Sequence, residues 1–193
     1  IINSEDHPSS QWIDLLKGYF NQFGASPMNW EIYRGDEFQL KVTEKNALFS
    51  AIRIKSMLKA IKGLDVRMGI GIGLETYVGA GVTESNGPAY QRSGRNFESL
   101  KESKVNLSIT TGIEEKDRTL NLILRLALDF MDDWSVVSAE IVTLVLDHPT
   151  YSQKVIAQKL GIKQSAVSQR LKRARLDLVL DVLSYYEEVI TGN

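Results

Sequence analysis

The hydrophobic period of this chain changes character once, near Thr111 to Asp117, and that change restricts the folds open to it. Before it, apolar residues recur at both strand and helix spacing; from Arg118 onward only the helical period is present. A chain of 193 residues is long enough for two parts of about 80 to 110 residues, each with a modest core. The expected division is 1–114, mixed, and 115–193, all helical.

In the first part, Ile1 and Ile2 read as the end of a strand. Ser9 or Ser10 would cap a helix over "QWIDLLKGYFNQF", in which Trp12, Leu15, Leu16, Tyr19 and Phe23 share a face. "NWEIYR" and "FQLKV" read as a hairpin, and "EKNALFSAIRIKSMLKAI" as a second helix. "LDVRMGIGIG" reads as a buried strand whose glycines let another backbone approach. A loop to about Pro88, a helix over "AYQRSGRNFESLK" and a strand at "VNLSITT" follow. This order suits an α+β fold of ferredoxin-like type, with helices on one face of a mainly antiparallel sheet. The second part reads as helices over "RTLNLILRLALDFMDDW", "VVSAEIVTLVLD" and "SQKVIAQKL", then one long helix from Gln164 to Ile190.

Composition narrows the chemistry. With no cysteine, disulfides, thiol catalysis and thiolate zinc sites are excluded, and the expected compartment is the cytoplasm. Apolar runs are far shorter than the roughly 20 residues of a membrane span, so no membrane partner is expected. His7 and His148 have no ligand spacing and read as surface residues. Trp12, Trp30 and Trp134 read as core or interface residues. "GIGIG" lacks dinucleotide-loop spacing.

The segment 151–175 is the most informative. Ser152 can cap a short helix with Ile156, Ala157 and Leu160 inside, and Gly161 stands where a sharp turn needs positive φ. Ile162 fills the corner, and Val167 and Leu171 anchor the second helix. Those positions together make a helix-turn-helix. Lys163, Gln164, Ser165, Ser168, Gln169, Lys172 and Arg173 avoid the apolar face, and Arg170 adds another charge. Ser165 is an alternative cap to Lys163, which would shorten the helix. Seven Lys or Arg and no Asp or Glu lie between Tyr151 and Arg175, a basic patch hidden in a net charge of −1. Such side chains reach base edges and phosphates, so the expected partner is duplex DNA. A solvated helical hairpin is the plainer alternative. "LDLVLDVLSYY" offers Leu176, Leu180, Leu183 and Tyr186 for packing within the chain, or for a homodimer.

The hairpin carries "RGDEF", Arg34 to Phe38, which admits three readings: an adhesion tripeptide, a variant GGDEF signature, or an ordinary turn. With "DVRMGIGIG" downstream, the first part resembles the palm of GGDEF domains and class III nucleotide cyclases. That resemblance implies a nucleotide or small-molecule ligand, with Asp36 and Glu37 as hairpin acids and Mg²⁺ if a nucleotide binds. It also implies Arg92 and Arg95 on the following helix, facing the nucleotide. Arg34 departs from the signature's first glycine, and the first-strand acid is not in the sequence given. The alternative is that Asp36 stabilises a turn and Glu37 faces solvent.

The second part resembles sigma-factor region 4 and LuxR-type tri-helical domains. Over nearly its full length the chain resembles the SatD family of bacterial proteins, through "WIDLLKGYF", "WEIYRGDEFQL", "DVRMGIGIG", "FMDDWSVVSAE" and "LGIKQSAVSQRLKRA". That resemblance implies a regulator, and a Gly-Asp-Ile segment immediately before or over Ile1 that would supply the acid. The expected function is sequence-specific DNA binding, with ligand sensing or assembly in the first part. The alternative is a nucleotide-binding or nucleotide-cyclising enzyme with a regulatory helical part.

Overall fold

The computed structural model describes residues 1–192. Helix α1, Ser10–Phe20, buries Trp12, Leu16, Tyr19 and Phe20. Strands β1, Trp30–Tyr33, and β2, Glu37–Leu40, form an antiparallel hairpin in which Trp30 faces Leu40 and Tyr33 faces Glu37. Its tip turns through left-handed Arg34 and Gly35, at φ 51° and 86°. Helix α2, Ala47–Lys59, is buried almost all round, the mark of a helix packed from several sides. Strand β3, Met68–Gly71, helix α3, Pro88–Ser103, and strand β4, Leu107–Thr110, complete the first part.

The fold is mixed α/β and mostly helical, and its strands depart from the single, mainly antiparallel sheet that the sequence suggested. There are two two-stranded sheets among the described residues, β1–β2 and β3–β4, and the second is parallel. The long connection through α3 carries the chain back to start β4 beside the start of β3, which a tight hairpin turn cannot do. Helices also cover both faces of β3. A Cβ on Gly69 would stand 2.8 Å from Phe97 N, and one on Gly71 2.2 Å from Ala89 O, so the glycine face lies directly on α3. Met68, Ile70 and Ile72 alternate to the opposite side and join the core with α2.

From Glu114 onward the described chain is helical: α4, Glu114–Met131; α5, Val136–Asp147; α6, Gln153–Leu160; α7, Gln164–Ala174; and α8, Leu176–Thr191. Glu114, Glu115 and Asp117 in the first turn of α4 suit the positive end of its dipole. The helix expected from Gln164 to Ile190 is broken in two, because Arg175 takes φ 51° and ends α7.

One apolar core joins the two parts. It contains Trp12, Leu16, Phe20, Ile52, Leu58, Leu124, Met131, Trp134, Ile141, Val142 and Tyr186, all buried. Each such side chain contributes about 1.5–3 kcal/mol by leaving water. Polar contacts cross the same boundary. Arg53 grips Asp147 with two hydrogen bonds of 2.5 and 2.6 Å, and the Tyr186 hydroxyl donates to the Glu44 carbonyl. Lys55 is fully buried, with its ammonium 2.7 Å from Asp65 and 2.6 Å from Asp132. All three expected tryptophans lie inside, at 1%, 6% and 5% exposure for Trp12, Trp30 and Trp134.

Candidate functional site

Helices α6 and α7 stand out as a short basic pair held on the outside of α5. Ser152 caps α6 by accepting from the Val155 amide. The chain leaves α6 through Gly161 at φ 62°, and the Ile162 amide donates back to the Ala157 carbonyl at 3.0 Å, closing the helix end. Ile156, Ala157 and Val167 are buried between the helices and α5. Lys163 occupies the N-cap of α7 with extended backbone and no side-chain bond, so the helix keeps its full length from Gln164 and Ser165 does not cap it.

This packing fixes what α7 shows to solvent. With Val167 and Ala174 buried, Lys163, Gln164, Ser165, Ser168, Gln169, Lys172 and Arg173 are all exposed. Arg170 lies on the flank, half-buried. The far end of α7 is held by an interaction that spacing alone does not reveal: the buried indole of Trp134 donates to the Ala174 carbonyl at 2.9 Å.

The hairpin residues sit elsewhere, at a cleft of about 440 Å³ between β2 and β3. Asp36 and Glu37 stand at this cleft. The Asp36 carboxylate accepts from the Ser4 hydroxyl at 3.1 Å, and its carbonyl accepts from the Ile1 amino group at 2.8 Å. Glu37 faces Lys101 at 3.8 Å. Arg92 and Arg95 do not line the cleft. Arg92 donates to the Ile72 carbonyl and packs over Gly112, and Arg95 is exposed. The structure therefore brings the two acids together but not the two arginines. Among the described residues no three His, Asp or Glu side chains are grouped so as to hold a metal ion.

The sequence reading passed over a third polar group at the same cleft. Glu75 accepts from the Tyr90 hydroxyl at 2.5 Å and from Lys41 at 3.2 Å. Burial, reinforced by the bond to Glu75, pushes the Tyr90 phenol up to about 12, and the Tyr90 and Lys41 bonds hold the Glu75 carboxyl below its ordinary range. Glu75 lies in what reads as a polar loop, and nothing in its spacing signals a partner on α3.

The model of the SatD family matches residues 10–189. The chain belongs to the SatD family. The match runs from the start of α1 almost to the end of α8, so this SatD chain carries the cleft and the basic pair within one family unit. Comparison of the SatD chain with curated proteins and with solved structures returned no match. No helix of the described residues is long and apolar enough to cross a membrane.

Proposed function

We propose that this protein is a sequence-specific DNA-binding regulator that places α7 in the major groove as the second helix of a helix-turn-helix. The observation that carries this reading is the outward face of α7. Gln164, Ser165, Ser168, Gln169, Lys172 and Arg173 are exposed together, opposite buried Val167 and Ala174, in a stretch free of carboxylates. Amide and hydroxyl groups there match base edges, and the cations match phosphates.

The second partner we propose is another copy of the chain. Helices α4 and α8 pack antiparallel, since Lys116 reaches the Val189 carbonyl at one end and Arg175 covers Phe130 at the other. Leu122 and Leu126 of α4 and Leu178, Leu180 and Tyr185 of α8 remain exposed. Arg118, Arg125 and Asp129 border Leu122 and Leu126, and Arg175, Asp181 and Glu188 border Leu178 and Tyr185. A two-fold contact would cover these apolar side chains within a mixed-charge border, and paired half-sites on DNA match a dimer.

Selection from a pool of random duplexes tests the reading. Binding is expected at low salt, weakening steeply as salt rises because phosphate contacts release counterions. Replacing Arg170, Lys172 and Arg173 together by Ala lowers affinity for every sequence; Gln164→Ala or Gln169→Ala relaxes preference at particular base pairs. No binding to any duplex at low salt overturns it. A competing reading, nucleotide turnover in the first part, draws on Asp36 and Glu37 at the cleft. Product from any nucleoside triphosphate with Mg²⁺ or Mn²⁺ would move the function there.

A further inference from the structure

Helix α7 is gripped unequally along its length. Its first half has a large anchor: Val167 is fully buried, and Ile162 and Leu171 pack on the same core. From Lys172 to the end of the helix the buried side chain is that of Ala174, a single methyl. A helix held by large side chains toward one end can pivot about that end.

A hydrogen bond from outside the helix holds the other end. The last carbonyls of a helix have no partners within it. The Arg175 amide turns back to Leu171 and Lys172 and satisfies two of them. The Ala174 carbonyl accepts instead from the Trp134 indole at 2.9 Å, with Ala174 fully buried and Trp134 5% exposed. Water does not replace a partner at such a depth, so breaking this bond leaves both groups unpaired.

The donor is itself fixed. Trp134 follows α4 through Asp132, which α2 holds twice: Lys59 donates to its carbonyl at 2.5 Å, and the Lys55 ammonium lies 2.6 Å from its carboxylate. Phe130 of α4 meets the same end of α7, with the Arg175 guanidinium 5.8 Å from its ring centre. The end of α7 is thus tied to α4 and, through it, to α2, while its first half packs on α5.

The scale of the bond matters. Ala174 is seven residues beyond Val167, or about 10 Å along a helix. A pivot of about 5° at Val167 would carry the Ala174 carbonyl nearly ~1 Å, enough to break a hydrogen bond of this length. The bond therefore allows α7 little change of tilt. Gln and Ser must meet base edges in hydrogen-bond geometry, so they depend on that tilt. Lys and Arg follow a phosphate on flexible stems and carry no sequence information by doing so.

We infer that Trp134 is a positioning residue for DNA recognition: its bond to Ala174 sets the tilt at which α7 presents Gln164, Ser165, Ser168 and Gln169 to the bases. Trp134 is buried and touches no DNA itself. This role rests on the DNA-binding reading and adds to it the contact that makes binding selective.

The test compares affinity for the duplex selected from a random pool with affinity for a scrambled duplex, at one salt concentration. Trp134 is replaced by benzothienylalanine, which keeps the bicyclic shape and lacks the N–H, and separately by Phe. Trp30→Phe is the matched control, because the Trp30 indole, 6% exposed, donates to the Gly24 carbonyl at 3.0 Å in the first part of the chain. Both Trp134 replacements should lower affinity for the selected duplex about tenfold and change that for the scrambled one by less than about twofold. Trp30→Phe should leave the ratio of the two affinities unchanged. An unchanged ratio in the benzothienylalanine protein, or an equal loss from Trp30→Phe, overturns the inference while DNA binding stands. If neither Trp134 protein folds, the bond is structural and the inference falls. Absence of any preferred duplex for the unaltered chain overturns the DNA reading itself, and this inference with it.

Discussion

Lys55 shows at the scale of one residue what the sequence could and could not specify. Its helical period places it beside Leu48, Ile52 and Leu58 on the most buried face of α2, so a charge in the core was legible. Its partners were not, since Asp65 lies past the end of α2 and Asp132 past the end of α4, and the three meet only in the fold. A buried cation between two carboxylates is stable only as a set. Lys55→Met should therefore cost about 1–3 kcal/mol, because it leaves Asp65 with Lys59 at 3.3 Å and Asp132 with the Asn106 amide at 3.0 Å as their remaining side-chain partners. Asp65→Asn and Asp132→Asn added to it should recover part of the loss, as read from urea unfolding. Arg34 is a second such case. The resemblance to a glycine-led signature was visible in "RGDEF", and the structure supplies the reason for glycine there: φ is 51°, a conformation costing a non-glycine residue about 1–2 kcal/mol.

Among the elements, β3 was read correctly as a glycine strand suited to close approach, but the element that approaches was not. Helix α3 lies over it because Gly69 and Gly71 leave no side chain in between. Gly71→Ala would put its Cβ 2.2 Å from the Ala89 carbonyl oxygen and 2.4 Å from the Ser93 amide nitrogen. Neither backbone can yield without moving the helix, so the substitution should cost about 1–3 kcal/mol. Gly94→Ala, on α3 with nothing within 4 Å of its new Cβ, should instead stabilise by up to about 1 kcal/mol. Thermal unfolding of the two variants checks both signs. The break between α7 and α8 was illegible for a simple reason: Arg175 takes a left-handed conformation without the glycine that normally signals it. The strand pairing was hidden too, because periodicity identifies strands but not their neighbours, and β3 pairs with β4 across the whole of α3.

For the whole molecule, the change in period near residue 114 is real in secondary structure, yet the apolar core runs through it. Helix α2 packs on α1 and β3 and also on α5 and α8, and Thr143 bonds Ser56 at 2.8 Å within that contact. A shared core predicts one cooperative transition. Far-UV circular dichroism and tryptophan emission should give coincident unfolding curves, and residues 1–114 alone should fail to reach a native near-UV spectrum; two separated transitions would contradict this. Trp134 gives the molecule a further property. Its indole is tied to the last carbonyl of α7, and Asp132, two residues before it, closes on Lys55 of α2. With Trp12 and Trp30 replaced by Phe, the protein would carry a single tryptophan, at the joint between its two parts. The colour of that tryptophan's emission would track any tilt of α7.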